Sequence, residues 1–103
     1  MKSIEAVHLR PYSRTTREEA LEAFRQLAWS KQENGLEDIV ILANTSVSGD
    51  LCISIHWHRE IPLKDKSPLG LQLASAFSEF GQIEHSVWID ERKIHRKNTW
   101  KHR

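Results

Sequence analysis

The run Leu-Cys-Ile-Ser-Ile-His-Trp-His at Leu51–His58 constrains the fold more than any other part of the chain. Leu51, Ile53, Ile55 and Trp57 alternate with Cys52, Ser54, His56 and His58, so the two sets lie on opposite faces of a β-strand. One face is wholly apolar. The other carries a thiol, a hydroxyl and two imidazoles, a set uncommon on a freely solvated surface. Such a strand has material packed on both sides, and its second side is polar enough to hold a ligand.

The rest of the chain supplies partners for that strand. Residues 3–10 alternate, with Val7 and Leu9 the bulkier inward set and His8 and Arg10 outward, and Pro11 ends the run. Thr16 and Glu19 have the spacing of a capping box. Ala20, Leu21, Phe24, Leu27 and Ala28 form one helical stripe, which Gly35 is expected to close as a left-handed cap. Residues 38–44 read as a strand, and the turn residues Ser46 to Asp50 make a hairpin into Leu51. Ser67-Pro68 is an N-cap with proline in the first turn, and Leu69, Leu73, Phe77 and Phe80 give a second stripe closed by Gly81. Residues 82–90 form the last strand. The order β-α-β-β-α-β with right-handed crossovers predicts an α+β, ferredoxin-like fold: a four-stranded antiparallel sheet with both helices on one face. The other face is left open. By phase it receives His8, Ser54, His56, His58, Glu84, Ser86 and Trp88, while His85 is a polar exception on the helix side. The second strand is apolar in both phases, which argues that even the open face is partly covered.

A chain of 103 residues with 39% hydrophobic and 28% charged side chains is expected to form one domain. No run approaches the ~20 apolar residues of a membrane span, and the first residues lack the apolar core of a secretory signal. A single cysteine, Cys52, fits a reducing compartment, so cytoplasmic residence is expected. The net charge of +1 conceals an asymmetry: residues 91–103 hold six Lys/Arg and one acid, against nine basic and thirteen acidic side chains in residues 1–90. The chain is thus read as a domain, 1–90, with a basic tail, 91–103. Basic side chains release counterions from phosphate, but the third strand lacks the stacking aromatics of the RNA-recognition module, which argues against nucleic acid as a partner. Ile94 and Trp100 suggest instead that the tail packs on the acidic body or on a second subunit.

With its element order and the run Ile-His-Trp-His-Arg-Glu, the chain resembles the dimeric α/β-barrel group, which includes antibiotic biosynthesis monooxygenases and stress-responsive barrel proteins. Trp57 stands where that group often carries a tryptophan at the end of the third strand. The resemblance covers roughly residues 3–90 and implies two sheets packed face to face across a two-fold axis. It departs from the group where function is concerned. The cofactor-independent oxygenases use an asparagine near the first strand, and here none precedes Asn34. The haem-degrading members use a histidine on the second helix, and residues 67–80 contain none.

The expected site follows from these readings. His56 and His58 project to the same side and are the candidate catalytic pair, one acting as a base toward an activated aromatic substrate. His8, Ser54, Glu84 and Trp88 are the candidate ligand-binding residues, with His8 and Glu84 expected to approach His56 and with residues 59–66 as a lid. Two histidines without a third ligand do not make a metal site, and no organic cofactor is expected. Cys52 reads as a small buried hydrophobe, Trp57 as core, Trp29 as partial cover and Trp88 as a dimer anchor. The expected partner is a second copy of the chain, and the expected ligand a small apolar or aromatic molecule. A non-enzymatic structural or regulatory dimer is the competing reading.

Overall fold

A computed structural model describes residues 1–27 and 34–91. The order is β1 (Lys2–Pro11), α1 (Arg14–Arg25), β2 (Leu36–Ala43), β3 (Leu51–His58), α2 (Pro68–Phe77) and β4 (Gly81–Ile89). The strands form one antiparallel sheet in the order β2-β3-β1-β4, the ferredoxin-like arrangement. β3 and β1 occupy the centre: β3 turns an uninterrupted apolar set inward, and β1 turns in Val7 and Leu9 together with the buried polar Ser3 and Glu5. Val7, Leu9, Leu51, Ile53, Ile55 and Trp57 are all buried, and Ala20 of α1 and Leu73 and Phe77 of α2 join them in the core. Burying each large apolar side chain contributes about 1.5–3 kcal/mol.

Register follows from this pattern. β1 pairs with β3 so that Leu9 faces Leu51 and Val7 faces Ile53, and with β4 so that His8 faces Glu84 and Ile4 faces Trp88. Inward and outward phases on β1, β3 and β4 are as expected from the sequence. β2 carries a register irregularity between Leu36 and Asp38.

Local starts and stops differ from the expectation at three points. α1 is capped at Ser13, not Thr16. The Ser13 side chain accepts from the Thr16 amide at 3.1 Å, while the Thr16 hydroxyl accepts from the Ser13 amide at 2.9 Å. Threonine at N3 does the work expected of glutamate, so the helix begins as soon as the chain leaves β1. Gly35 has the expected positive φ of 84°, but α1 is already capped at Gln26, and Gly35 instead turns the chain into β2, where its carbonyl accepts from His58 N–H. Gly81 does not close α2, which caps at Ser78. It opens β4 opposite Pro11, where a Cβ would strike the Arg10 carbonyl. Ser67 caps α2 as expected, accepting from Gly70 N–H at 2.9 Å. Ala28, Trp29 and residues 92–103, hence the expected tail packing of Ile94 and Trp100, lie outside the described residues. No helix among the described residues is long and apolar enough to cross a membrane.

Candidate functional site

The open face carries a hollow of about 430 Å³ beside the β2–β3 hairpin. Ala6, Leu42 and Trp88 supply apolar walls, and His8, Cys52 and Glu84 supply polar groups. This volume falls within the range of small-molecule sites. These side chains come from all four strands and share one face of the sheet, so the pleat itself assembles them. Trp88 is held by its indole N–H, which donates to the Ser86 hydroxyl at 2.9 Å, yet the residue is 65% exposed.

At the hairpin end of the hollow, His8 Nε2 lies 2.9 Å from Oδ2 of Asp50, whose side chain is buried. Arg10 reaches the same carboxylate, with Nη2 3.2 Å from Oδ2 and Nε 3.4 Å from Oδ1. Together Arg10 and then His8 hold the Asp50 carboxyl below the usual carboxylate range, against the opposing effect of burial. Asp50 is fixed by the turn that precedes β3: its amide donates to Val47 O, its carbonyl accepts from Asn44 N–H, and Gly49 takes a positive φ of 96° to bring it there. On the other side of the ring, His8 Nδ1 stands 3.6 Å from Oε1 of the mostly exposed Glu84. Cys52, cross-strand neighbour of His8, is half-buried, and burial pushes its thiol up and away from thiolate character.

The expected residues therefore divide. His8, Glu84 and Trp88 share the hollow. His56 does not join them. It sits across from Ile4, four residues along β1 from His8, which is about 13 Å at the usual strand rise. The parity that puts His8, Glu84 and His56 on one face is correct, but register separates them. His56 Nε2 pairs with the Ser54 hydroxyl at 3.1 Å, and His58 Nδ1 lies 3.5 Å from Glu37 of β2. Residues 59–66 do not roof the hollow. They leave the opposite end of β3, where Arg59 exchanges backbone hydrogen bonds with Met1, and Leu63 is buried in the helix-side core. Asp50 was not expected at the site because it reads as one more turn residue. Its signal is that it immediately precedes β3 and so lies beside the cross-strand neighbours of β3's first residues.

A second constellation lies on the helix side. Glu5 is wholly buried and accepts four hydrogen bonds: from Trp57 Nε1 at 3.1 Å, the Ser67 hydroxyl at 2.7 Å, the Ser67 amide at 2.9 Å and His85 Nε2 at 2.7 Å. This carboxylate ties β1, β3 and β4 to the N-terminus of α2, where negative charge is favoured. Gly70 makes room for it, since a Cβ there would overlap the carboxylate. With all its acceptor capacity toward the protein in use, Glu5 is a structural hub. Trp57 is core, as expected, with a polar handle. Among the described residues, no group of three or more His, Cys, Asp or Glu is arranged to hold a metal ion.

Neither a protein-family model nor a curated protein matches this chain. Solved structures do. A conserved protein of unknown function from Bacteroides thetaiotaomicron, described as a possible oxidoreductase, superposes with a TM-score of 0.61 at 19% identity, over 84% of this chain and 95% of that one. A candidate antibiotic biosynthesis monooxygenase from Deinococcus radiodurans superposes with a TM-score of 0.58 at 14% identity, over 85% of this chain and 91% of that one. At these identities the likeness is one of fold: this chain shares the ferredoxin-like α+β fold of the two structures.

Proposed function

We propose that the protein is a homodimer whose open sheet faces pack together, and that the hollow beside Trp88 binds a small apolar or aromatic molecule at that interface. The observation that carries this reading is the composition of the open face. Ile4, Leu42 and Trp88 stand 41%, 52% and 65% exposed on it, around a hollow with an imidazole at one end. Exposed apolar groups gathered on one surface mark a binding or assembly site. The resemblance to the dimeric barrels supports a second copy as the cover. Within this reading residues 1–90 form the domain, 91–103 remain a separate basic segment, and the protein works in the cytoplasm.

The activity we assign is cofactor-independent oxygenation of an activated aromatic. A histidine removes a proton, the carbanion reacts with dioxygen, one oxygen atom ends as a carbonyl replacing CH₂, and the other leaves as water. The description of the Deinococcus radiodurans neighbour supports this direction. His8 is the better-placed base, since it borders the hollow. His56 and His58 remain in the proposal as groups facing the second copy.

A thermal-shift screen of small aromatics tests the reading. A compound that raises the melting temperature of the native chain but not of Leu42→Arg supports the hollow, and turnover lost in His8→Ala assigns the base. Turnover lost only in the His56→Ala/His58→Ala double variant moves the base to that pair. A screen without any shift overturns the small-molecule site and favours a purely structural dimer.

A further inference from the structure

Resting on the reading of the hollow as a binding site, we infer that Asp50 is a positioning residue that holds His8 in its Nε2–H tautomer, leaving the Nδ1 lone pair as the proton acceptor for an uncharged ligand bearing a weakly acidic O–H or N–H. The argument is geometric. An ionised carboxylate only accepts hydrogen bonds, so the 2.9 Å contact from Asp50 Oδ2 requires the proton on Nε2. A neutral imidazole carries one N–H, and Nδ1 is then a bare acceptor. Among the described residues, its near neighbour is the Glu84 carboxylate at 3.6 Å, beyond hydrogen-bonding length and itself an acceptor.

Asp50 suits this role because it cannot drift. Its side chain is buried, its backbone is bonded on both sides of the turn, and Arg10 spans both oxygens of the carboxylate. The same arrangement defines the ligand. Arg10 offsets the charge of Asp50, but Glu84 stands 3.6 Å from Nδ1, so a carboxylate or phosphate ligand approaching that nitrogen meets the Glu84 charge. A neutral donor instead places its hydrogen on Nδ1. Transfer of that proton gives an imidazolium flanked by Asp50 and Glu84 and an oxyanion or nitrogen anion on the ligand, so charge is conserved and the cation is matched on both sides. Cys52, opposite His8, has its thiol raised by burial and offers no competing base.

Two measurements on the full chain separate this inference from the reading beneath it. Ring ¹⁵N chemical shifts of His8, above the pH range in which imidazoles titrate, report the tautomer without any ligand. The expected result is a pyrrole-like Nε2 and a pyridine-like Nδ1 in the native protein, averaged values in Asp50→Ala, which removes the acceptor, and native values in Arg10→Met, which removes the other partner of Asp50 and checks that the turn still folds. A pyrrole-like Nδ1 in the native chain, or an Asp50→Ala variant with unchanged shifts, overturns the positioning role. Binding of 2-naphthol, its methyl ether and 2-naphthoate then tests the ligand class. The naphthol should bind about tenfold more tightly than the ether and shift His8 Nδ1, the naphthoate should bind least, and Asp50→Ala should erase the preference. Equal binding of naphthol and ether overturns the acceptor role. Failure of all three to bind overturns the aromatic site itself while the tautomer result stands by itself.

Discussion

Nε2 of His85 lies 2.7 Å from Oε2 of Glu5, and both side chains are sealed beneath α2. The pair joins the first and last strands, since β1 holds the glutamate and β4 the histidine. Removing the acceptor strands four donors. Glu5→Ala is therefore expected to destabilise the fold by about 3–5 kcal/mol, since each buried donor left without an acceptor costs about 1–3 kcal/mol. Glu5→Gln, which keeps one acceptor oxygen, should fall between. Urea midpoints at unchanged slope measure both.

The space left by Gly70 makes a related prediction. A methyl group at this position overlaps a carboxylate that four hydrogen bonds hold in place. Gly70→Ala gains helix propensity, yet should destabilise by about 1–3 kcal/mol through overpacking. Combining it with Glu5→Ala should relieve the clash, so the double variant should be less destabilised than the two losses added. A double-mutant cycle reads that coupling.

Much of this was legible in the chain. Parity alone assigned Val7, Leu9, Leu51, Ile53, Ile55 and Trp57 to the core and His8, His56 and Trp88 to the open face. The same parity already put Glu5 on the helix side with Val7 and Leu9, and His85 there as a polar exception. What it lacked was the offset between strands. A period of two says which face a residue takes but not which neighbour it meets, and for this reason His56 fell about 13 Å from its expected place beside His8. Asp50 was hidden for a different reason: turns are composed of Asp, Gly and Ser whether or not a side chain is also used at a site.

Acid stability tests the Asp50 cluster. Arg10 first, and then His8, lower the Asp50 pKa in the folded state. A depressed carboxyl contributes stability that is fully present above its unfolded value of about 3.9 and is lost as pH falls through the lower folded value. The native chain should therefore lose stability below about pH 4 more steeply than Asp50→Asn. Exposed Glu22, held low by Gln26 and then Arg25, contributes with the same sign in both proteins and cancels in the comparison. Parallel acid titrations of the two proteins, followed by circular dichroism, would contradict the account if the curves coincide.

The two faces of the sheet should respond oppositely to truncation. Ile55→Ala opens a cavity in a site with no exposure and should cost about 2–5 kcal/mol. Leu42→Ala, half-exposed on the open face, should leave the isolated domain's stability nearly unchanged and weaken self-association instead. Chemical denaturation at several protein concentrations distinguishes the effects, because only the second variant should change the concentration dependence.

The cover over the open face is the central claim, and sedimentation equilibrium of the native chain and of Trp88→Arg tests it most directly. The account predicts a native particle of twice the 12.0 kDa chain mass and a Trp88→Arg variant that is folded but shifted toward the single chain. A native protein that sediments as a single 12.0 kDa chain at micromolar concentration would contradict it.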